Sequence, residues 1–455
     1  MSVDSLPGFW ALAQANALRL LPIGKVYLFI LVGVALYWVL PTPLPPRHRQ
    51  TLREWLLVAG GLVFAYTVVD TVGAFFIGLL TLVVYIFAGT SVSRSRPVTI
   101  LLTVGLVTCF WWIITGRAHI WLVGLATPEL ARAAPFLPAA YLEQLRQENL
   151  LRYVVVRLFA LRPPSAIMHQ GLLTYLAYLM PVRMVHVVWD AHLGRTRVRG
   201  LRSMLAYTYF IPCLQCAPFM FYESFATQAE KVARPGLREI WYALFRIAVS
   251  IARLFVGLFV IVLYNNRVFL TPLGFSPGEA WLSAVAFTIN TYLQLAYYGD
   301  FGRGFGILLG YQVPESVDRP LWAPNLVQWW RRWNMVITEW FKLYIYFPLG
   351  GNRKGEVRAY LNNLAVMVVC GLWHGISLPL FTWGALHGMV LCLTRFWQRR
   401  VNPKYPPFLQ RPMQALSIAG TFTYFCFSMA LLHVGMSRQP IQTTMEMTMR
   451  LLGMG

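Results

Sequence analysis

Apolar runs follow one another along this chain, most of them about 17 to 25 residues, a length that can cross roughly 30 Å of hydrocarbon. They fall at 26–40, 55–69, 72–88, 99–115, 167–189, 240–264, 281–298, 361–373, 378–394 and 415–432, separated by short breaks rich in arginine. Nothing between them reads as a soluble domain, since the longest polar gap, 128–148, is short and itself half apolar. The pattern predicts an all-α fold, a polytopic transmembrane helical bundle forming a single integral domain over residues 1–455. The opening residues lack a positively charged region followed by a small-residue cleavage site, so the first window is expected to be a retained span.

Composition agrees with the pattern: 57% of residues are hydrophobic and 12% charged, with a mean hydropathy of +0.55. Lysine and arginine outnumber aspartate and glutamate by 39 to 17, a formal charge of +22. In a soluble protein such an excess would suggest nucleic acid. In a polytopic one, arginines gather on cytoplasmic loops and set orientation, so no nucleic-acid partner is expected and the bilayer is the first partner. Threading the ten windows alternately across a bilayer puts "PPRHRQTLR", "SVSRSRP", "GRTRVRGLR", "GGNRKGEVR" and "RFWQRRVNPK" on one face. That face is expected to be the cytoplasm, with both termini outside.

Two local motifs are set aside on chemical grounds. Cys213 and Cys216 in "CLQC" lack a second Cys/His pair at matching spacing, and a structural zinc wants four ligands, so no metal is expected. The glycine-rich "GDFGRGFG" at 299–306 lacks the strand-turn-helix setting of a nucleotide loop, which leaves close helix packing as its expected role.

Ionisable groups inside or beside apolar windows say more, because each is costly in hydrocarbon unless paired or facing water. Asp70, Asp190, Glu223, Asp300, His374 and His387 qualify, and at least half are expected to be partners of arginines. His374 is the exception. It sits in "CGLWHGISLPLF" between two apolar segments that begin and end on the basic face. Both segments are short for a full crossing, so their turn is expected within the membrane thickness, where a neutral imidazole can act as a base.

The block "WWRRWNMVITEWFKLYIYFPLGGNRKG", followed by "CGLWHG" and "WGALHG", resembles the core of the membrane-bound O-acyltransferase family. Its bacterial branch, the one holding the alginate O-acetyltransferase membrane subunit, is the most similar. Strong similarity covers 294–388, the expected catalytic core, while "VVWDAHLGR" and "YFIPCLQCAPFMFY" echo upstream segments. WRRW, PLGGNR and LWHG in this order form a specific signal. The resemblance implies short or re-entrant helices around a central tunnel, and a multi-pass protein of the bacterial inner (plasma) membrane. It implies an essential histidine at His374, flanked by Trp373, and a polar partner at Asn334. Polysaccharide-acetylating relatives usually carry histidine at that position and asparagine is typical of lipid-acylating ones, so the acceptor class is left open. His387 also has a family counterpart, expected to pack or orient.

The activity implied is transfer of an acyl group, acetyl by resemblance, from a thioester to a hydroxyl. Such chemistry needs a base for the hydroxyl proton and a donor for the developing oxyanion. His374 fits the first role. The Asn334 amide, or a backbone N–H of 333–335, fits the second. No bound cofactor is expected; the donor would be acyl-CoA or an acyl-phosphopantetheine carrier protein, which is cytosolic and anionic. Arg331, Arg332, Arg353 and Lys354, with Trp333 anchoring the segment at the interface, are the candidate residues for steering it. Gly350 and Gly351 are expected to form the turn. An exported glycan would meet His374 from outside through a tunnel, and a separate periplasmic transferase is a further expected partner. Lipid headgroups, small metabolites and protein hydroxyls are alternative acceptors. A transporter is the rival class, but transporters often show paired halves, and no internal repeat is visible.

Overall fold

The computed structural model describes residues 28–68, 71–114, 169–214, 218–263, 276–401, 406–435 and 440–454. Among them all regular structure is helical and no strand occurs. The chain groups into two compact units, one formed by Met1–Trp241 with Phe305–Val313, the other by Tyr242–Gly304 with Pro314–Gly455.

The first unit holds α1 (Leu28–Val39), α2 (Pro46–Val68), α3 (Thr71–Gly89), α4 (Arg96–Ile114), α5 (His169–His192), α6 (Leu201–Thr208) and α7 (Tyr222–Glu230). Helix α5 packs on α3 and α4, and α6 on α2 and α3. Gly61 makes the last contact possible, because a Cβ there would fall on the carbonyl of Tyr209. A buried polar knot closes the unit. Arg183 is 1% exposed and donates to the carbonyls of Cys213 (3.1 Å) and Tyr207 (2.5 Å), while His186 accepts from the Tyr222 N–H at 3.0 Å.

Most of α8 (Leu237–Leu263) and α9 (Pro277–Leu308) belongs to the second unit. There follow α10 (Leu326–Arg332), α11 (Met335–Phe341), α12 (Glu356–His374), α13 (Leu378–Arg400), α14 (Pro407–Gly435) and α15 (Pro440–Leu451). Apart from Leu40, which lies in a turn, each of the ten apolar windows is helical wherever it is described. Two helices, over Leu237–Gly257 and Pro407–Gly435, are long and apolar enough to cross a bilayer; Leu28–Val39, Ile77–Gly89 and Arg96–Val107 are shorter apolar helices. Polar residues within the others lower their hydropathy, as Arg183 and His186 do in α5 and Asn290, Gln294 and Asp300 in α9. Asp70, Cys216 and the 128–148 gap lie outside the described residues.

The α12–α13 hairpin is the best-packed part of the second unit. Its arms have 19 and 23 residues, about 28 and 34 Å at 1.5 Å per residue. They outrun their apolar cores because their charged ends are helical too. Glu356 clasps those ends, lying 3.3 Å from Arg399 and 3.5 Å from Arg400. The Tyr360 hydroxyl, and then Arg399, hold the Glu356 carboxyl below the usual carboxylate range. A lowered carboxylate pKa keeps the clasp charged at neutral pH, and its contribution is lost only as pH falls through that lowered value.

Three glycines let the arms meet backbone to backbone. A Cβ at Gly371 would strike the Leu380 carbonyl, one at Gly384 the Met367 carbonyl, and one at Gly388 would lie 2.9 Å from Leu364 Cα. We expect Gly384→Ala to destabilise the protein at the upper end of the roughly 1–3 kcal/mol typical of overpacking. Gly420→Ala in α14, where nothing lies within 4 Å of the added Cβ, should leave the detergent-solubilised melting temperature unchanged or slightly raised. Equal melting temperatures for the two variants would refute close contact between the arms.

Candidate active site

The segment that carries the resemblance folds as two short helices around a left-handed residue. Asn325 caps α10 by accepting from the Gln328 N–H at 2.9 Å. Helix α10 stops at Arg332, and Asn334 takes φ 41° and ψ 58° before α11 begins. Asparagine tolerates this conformation better than most residues. Asn334 occupies the N-cap position of α11, yet its side chain caps nothing. Its Oδ1 is buried without a hydrogen-bond partner among the described residues. The backbone is held instead by Met335 N–H donating to the Ser316 carbonyl at 2.8 Å and Asp318 N–H to the Arg332 carbonyl at 2.9 Å.

After α11 comes a π turn, Lys342–Tyr346, sealed by Phe347 N–H to the Lys342 carbonyl at 3.0 Å. The expected glycine turn follows, with Gly350 at φ 103° and Gly351 at φ 56°. Asn362 ties this turn to α12 by donating to the Gly351 carbonyl at 2.8 Å. Arg353 and Lys354 are therefore exposed near the open end of the hairpin, beside the Arg399 and Arg400 end. His374 is at the closed end, twelve residues beyond Asn362, or about 18 Å along the helix. The four steering candidates thus fall into two groups: Arg331 and Arg332 at the end of α10, and Arg353 and Lys354 in the turn.

His374 is the last residue of α12, half-buried, before Gly375 at φ 155°. Trp373 lies 4.9 Å from its ring and Trp383 meets it edge-on at 5.8 Å. Trp383 also packs on His387 at 4.5 Å. Trp330 reaches both, 6.4 Å from Trp383 and 5.6 Å from His387. Trp333 is only 5% exposed, packed between Trp329 (5.8 Å) and Phe425 (5.0 Å). The WRRW and LWHG elements, 42 residues apart in sequence, are thereby joined through one indole pair, Trp330 and Trp383, the latter against His374.

Helix α14 supplies a third wall. Fully buried His387 meets Ser428 Oγ through Nε2 at 2.7 Å, and that hydroxyl donates to the Phe425 carbonyl at 3.1 Å. With the serine proton spent, Nε2–H is the donor and Nδ1 keeps its lone pair. Nδ1 has no partner among the described residues, and neither do Trp330 Nε1, Trp383 Nε1, Tyr424 Oη or Asn334 Oδ1. Buried polar atoms are nearly always satisfied, so the four of these atoms that belong to the mutually packed rings of His387, Trp330, Trp383 and Tyr424 mark a place built for a polar guest. Ser428, Tyr424 and Trp383 escaped the sequence reading. The signal available was Tyr424 and Ser428 four apart in an apolar window, on one helical face.

In the first unit, the expected basic loop opens a basin of about 550 Å³ lined by Arg195, Thr196, Arg197, Arg199 and Glu223. Its charge is largely spent, since Arg199 pairs with Glu223 (2.7 Å) and Glu230 (3.1 Å), and Arg195 lies 3.8 Å from Asp190.

The family described as membrane-bound O-acyltransferase matches residues 196–434. The probable alginate O-acetylase AlgI of Pseudomonas putida is 37% identical over 127 residues, 28% of this chain and 26% of the relative. The peptidoglycan O-acetyltransferase of Helicobacter pylori is 31% identical over 147 residues, 31% of this chain and 28% of the relative. The teichoic acid D-alanyltransferase of Bacillus subtilis is 22% identical over 260 residues, 53% and 64%. The aligned stretch thus spans about a quarter of the length of the first two relatives. With the family match extending over more than half its residues, and with WRRW and LWHG meeting in one aromatic site, the chain belongs to the membrane-bound O-acyltransferase family.

Proposed function

We propose that this protein is a polytopic inner-membrane O-acyltransferase, acting as one integral domain, that moves an acetyl group from a cytosolic thioester to a hydroxyl of an extracytoplasmic polysaccharide. The observation that carries the reading is the group of four unpartnered buried polar atoms on the packed rings of Trp330, Trp383, His387 and Tyr424, of which Trp383 meets His374 edge-on. The printed functions of three relatives, on alginate, peptidoglycan and teichoic acid, favour a polymer of the cell envelope as acceptor. The donor is acyl-CoA or an acyl-phosphopantetheine carrier protein, and a periplasmic transferase is a second recipient that would pass the group on to the polymer. His374 takes the hydroxyl proton as the oxygen attacks the thioester carbonyl. The Asn334 amide, which no helix cap consumes, donates to the oxyanion; collapse expels the thiolate, which recovers the proton. A tunnel brings donor and acceptor to the imidazole from opposite sides. The test is thiol release and label transfer from radiolabelled acetyl donor by the protein in nanodiscs, with cell-wall polymers as acceptors. No transfer to any hydroxyl acceptor, from either donor class, would overturn the proposal.

Asn334→Gly isolates the amide, because glycine accepts the left-handed backbone that alanine resists. Loss of one oxyanion donor typically costs about 10²–10³ in kcat. We expect a drop of that order with an unchanged melting temperature; full activity would remove Asn334 from the chemistry.

A further inference from the structure

Two stripes of polar and small residues face one another in the second unit. On α8 they are Arg246, Ser250, Arg253 and Gly257; on α9 they are Asn290, Gln294, Tyr297 and Asp300. The spacings of three and four place each set on one helical face. At one end Arg246 and Arg253 both bind Asp300. At the other, Gly257 leaves room for Asn290, whose Oδ1 would be 3.4 Å from a Cβ at position 257. Between them lies a cavity of about 40 Å³ lined by Arg253, Asn290, Gln294 and Tyr297 with Leu254 and Leu293. Asn290 is 8% exposed and its Oδ1 has no partner among the described residues.

This seam lies along Leu237–Gly257, one of the two helices apolar enough to cross a bilayer. Phe255 and Val256, at 51% and 50% exposure, turn an apolar face outward within a turn of Arg253, whose side chain keeps 31%. An arginine and an exposed glutamine at that depth cannot face lipid chains, where polar groups go unsatisfied. A cavity needs only about 10–15 Å³ and two to four polar partners to hold a water. We propose that the α8–α9 seam is a hydrated site: ordered water fills the cavity, donating to Asn290 Oδ1 and accepting from the Arg253 guanidinium, and exchanges with bulk beside Gln294. The inference does not depend on the acyl-transfer reading.

Thiol accessibility tests it. The six native cysteines are replaced, and Asn290→Cys, Gln294→Cys and Phe255→Cys are introduced singly into the full chain in nanodiscs. Each is treated with a small cationic methanethiosulfonate. Only a thiolate reacts, and apolar surroundings keep a thiol protonated, so the Asn290→Cys and Gln294→Cys proteins should react at least about tenfold faster than Phe255→Cys. Adding Gly257→Leu should suppress the Asn290→Cys reaction by filling the cavity. Gln294 is already exposed, so its variant keeps the test valid if Asn290→Cys folds poorly. Reaction at neither seam position, or equal reaction at all three, overturns the proposal.

Discussion

Replacing His374 with alanine should abolish all but a small residue of acyl transfer while leaving the protein folded. The side chain ends α12 and is half-buried against Trp373 and Trp383, so truncation removes little of the hairpin core, which rests on Gly371, Gly384 and Gly388. A positioned base typically contributes about 10²–10⁴-fold, or about 3–5 kcal/mol in the barrier. His374→Gln separates shape from proton transfer: it fills the site and hydrogen-bonds but accepts no proton at neutral pH, so it should be as inactive as alanine. His387 offers the contrast. Its Nε2 is committed to Ser428 at 2.7 Å and its ring is fully buried, so His387→Gln should cost melting temperature as well as rate. Wild-type turnover in His374→Ala, measured as thiol release per folded protein, would remove the base from the mechanism.

Hydropathy reveals the middle of a helix and not its ends. The described parts of the ten windows fall in helices but for Leu40, yet α12 begins at Glu356 and α13 runs on to Arg400 because charged residues prolong a helix without registering as apolar. The short helices α6, α7, α10 and α11 were invisible for the opposite reason, being seven to nine residues long and too short for a membrane-length window. The glycine turn at 350–351 was legible, because positive φ is a local demand that a GG pair announces. The idle cap at Asn334 was not: an asparagine before a helix reads as a cap, and only the left-handed backbone and the missing cap hydrogen bond reveal that its side chain caps nothing. Arginine pairing for Asp190, Glu223 and Asp300 followed the membrane argument. Which arginine each would take depended on helix register, which spacing within one segment does not carry.

Asp300→Leu should destabilise the second unit more than any other change of a charged residue in it. Asp300 keeps 4% of its side-chain surface and holds two guanidinium groups, those of Arg246 and Arg253. Losing the carboxylate does not affect them equally. Arg246 retains Glu315 through two hydrogen bonds of 2.9 and 2.6 Å. Among the described residues Arg253 retains only the Ala296 carbonyl at 3.4 Å, so it becomes the orphaned charge. Breaking one side of a buried pair typically costs about 3–5 kcal/mol. Arg253 keeps 31% of its surface and faces the cavity beside Asn290, which argues for the lower end, about 3 kcal/mol. Chemical unfolding in detergent would measure the loss. The decisive comparison is Asp300→Leu with Arg253→Leu added, where removing the stranded charge should return part of the stability, as interacting sites do in a double-mutant cycle. If the second substitution instead adds its own full cost, the two side chains are not coupled and Asp300 is not what compensates Arg253.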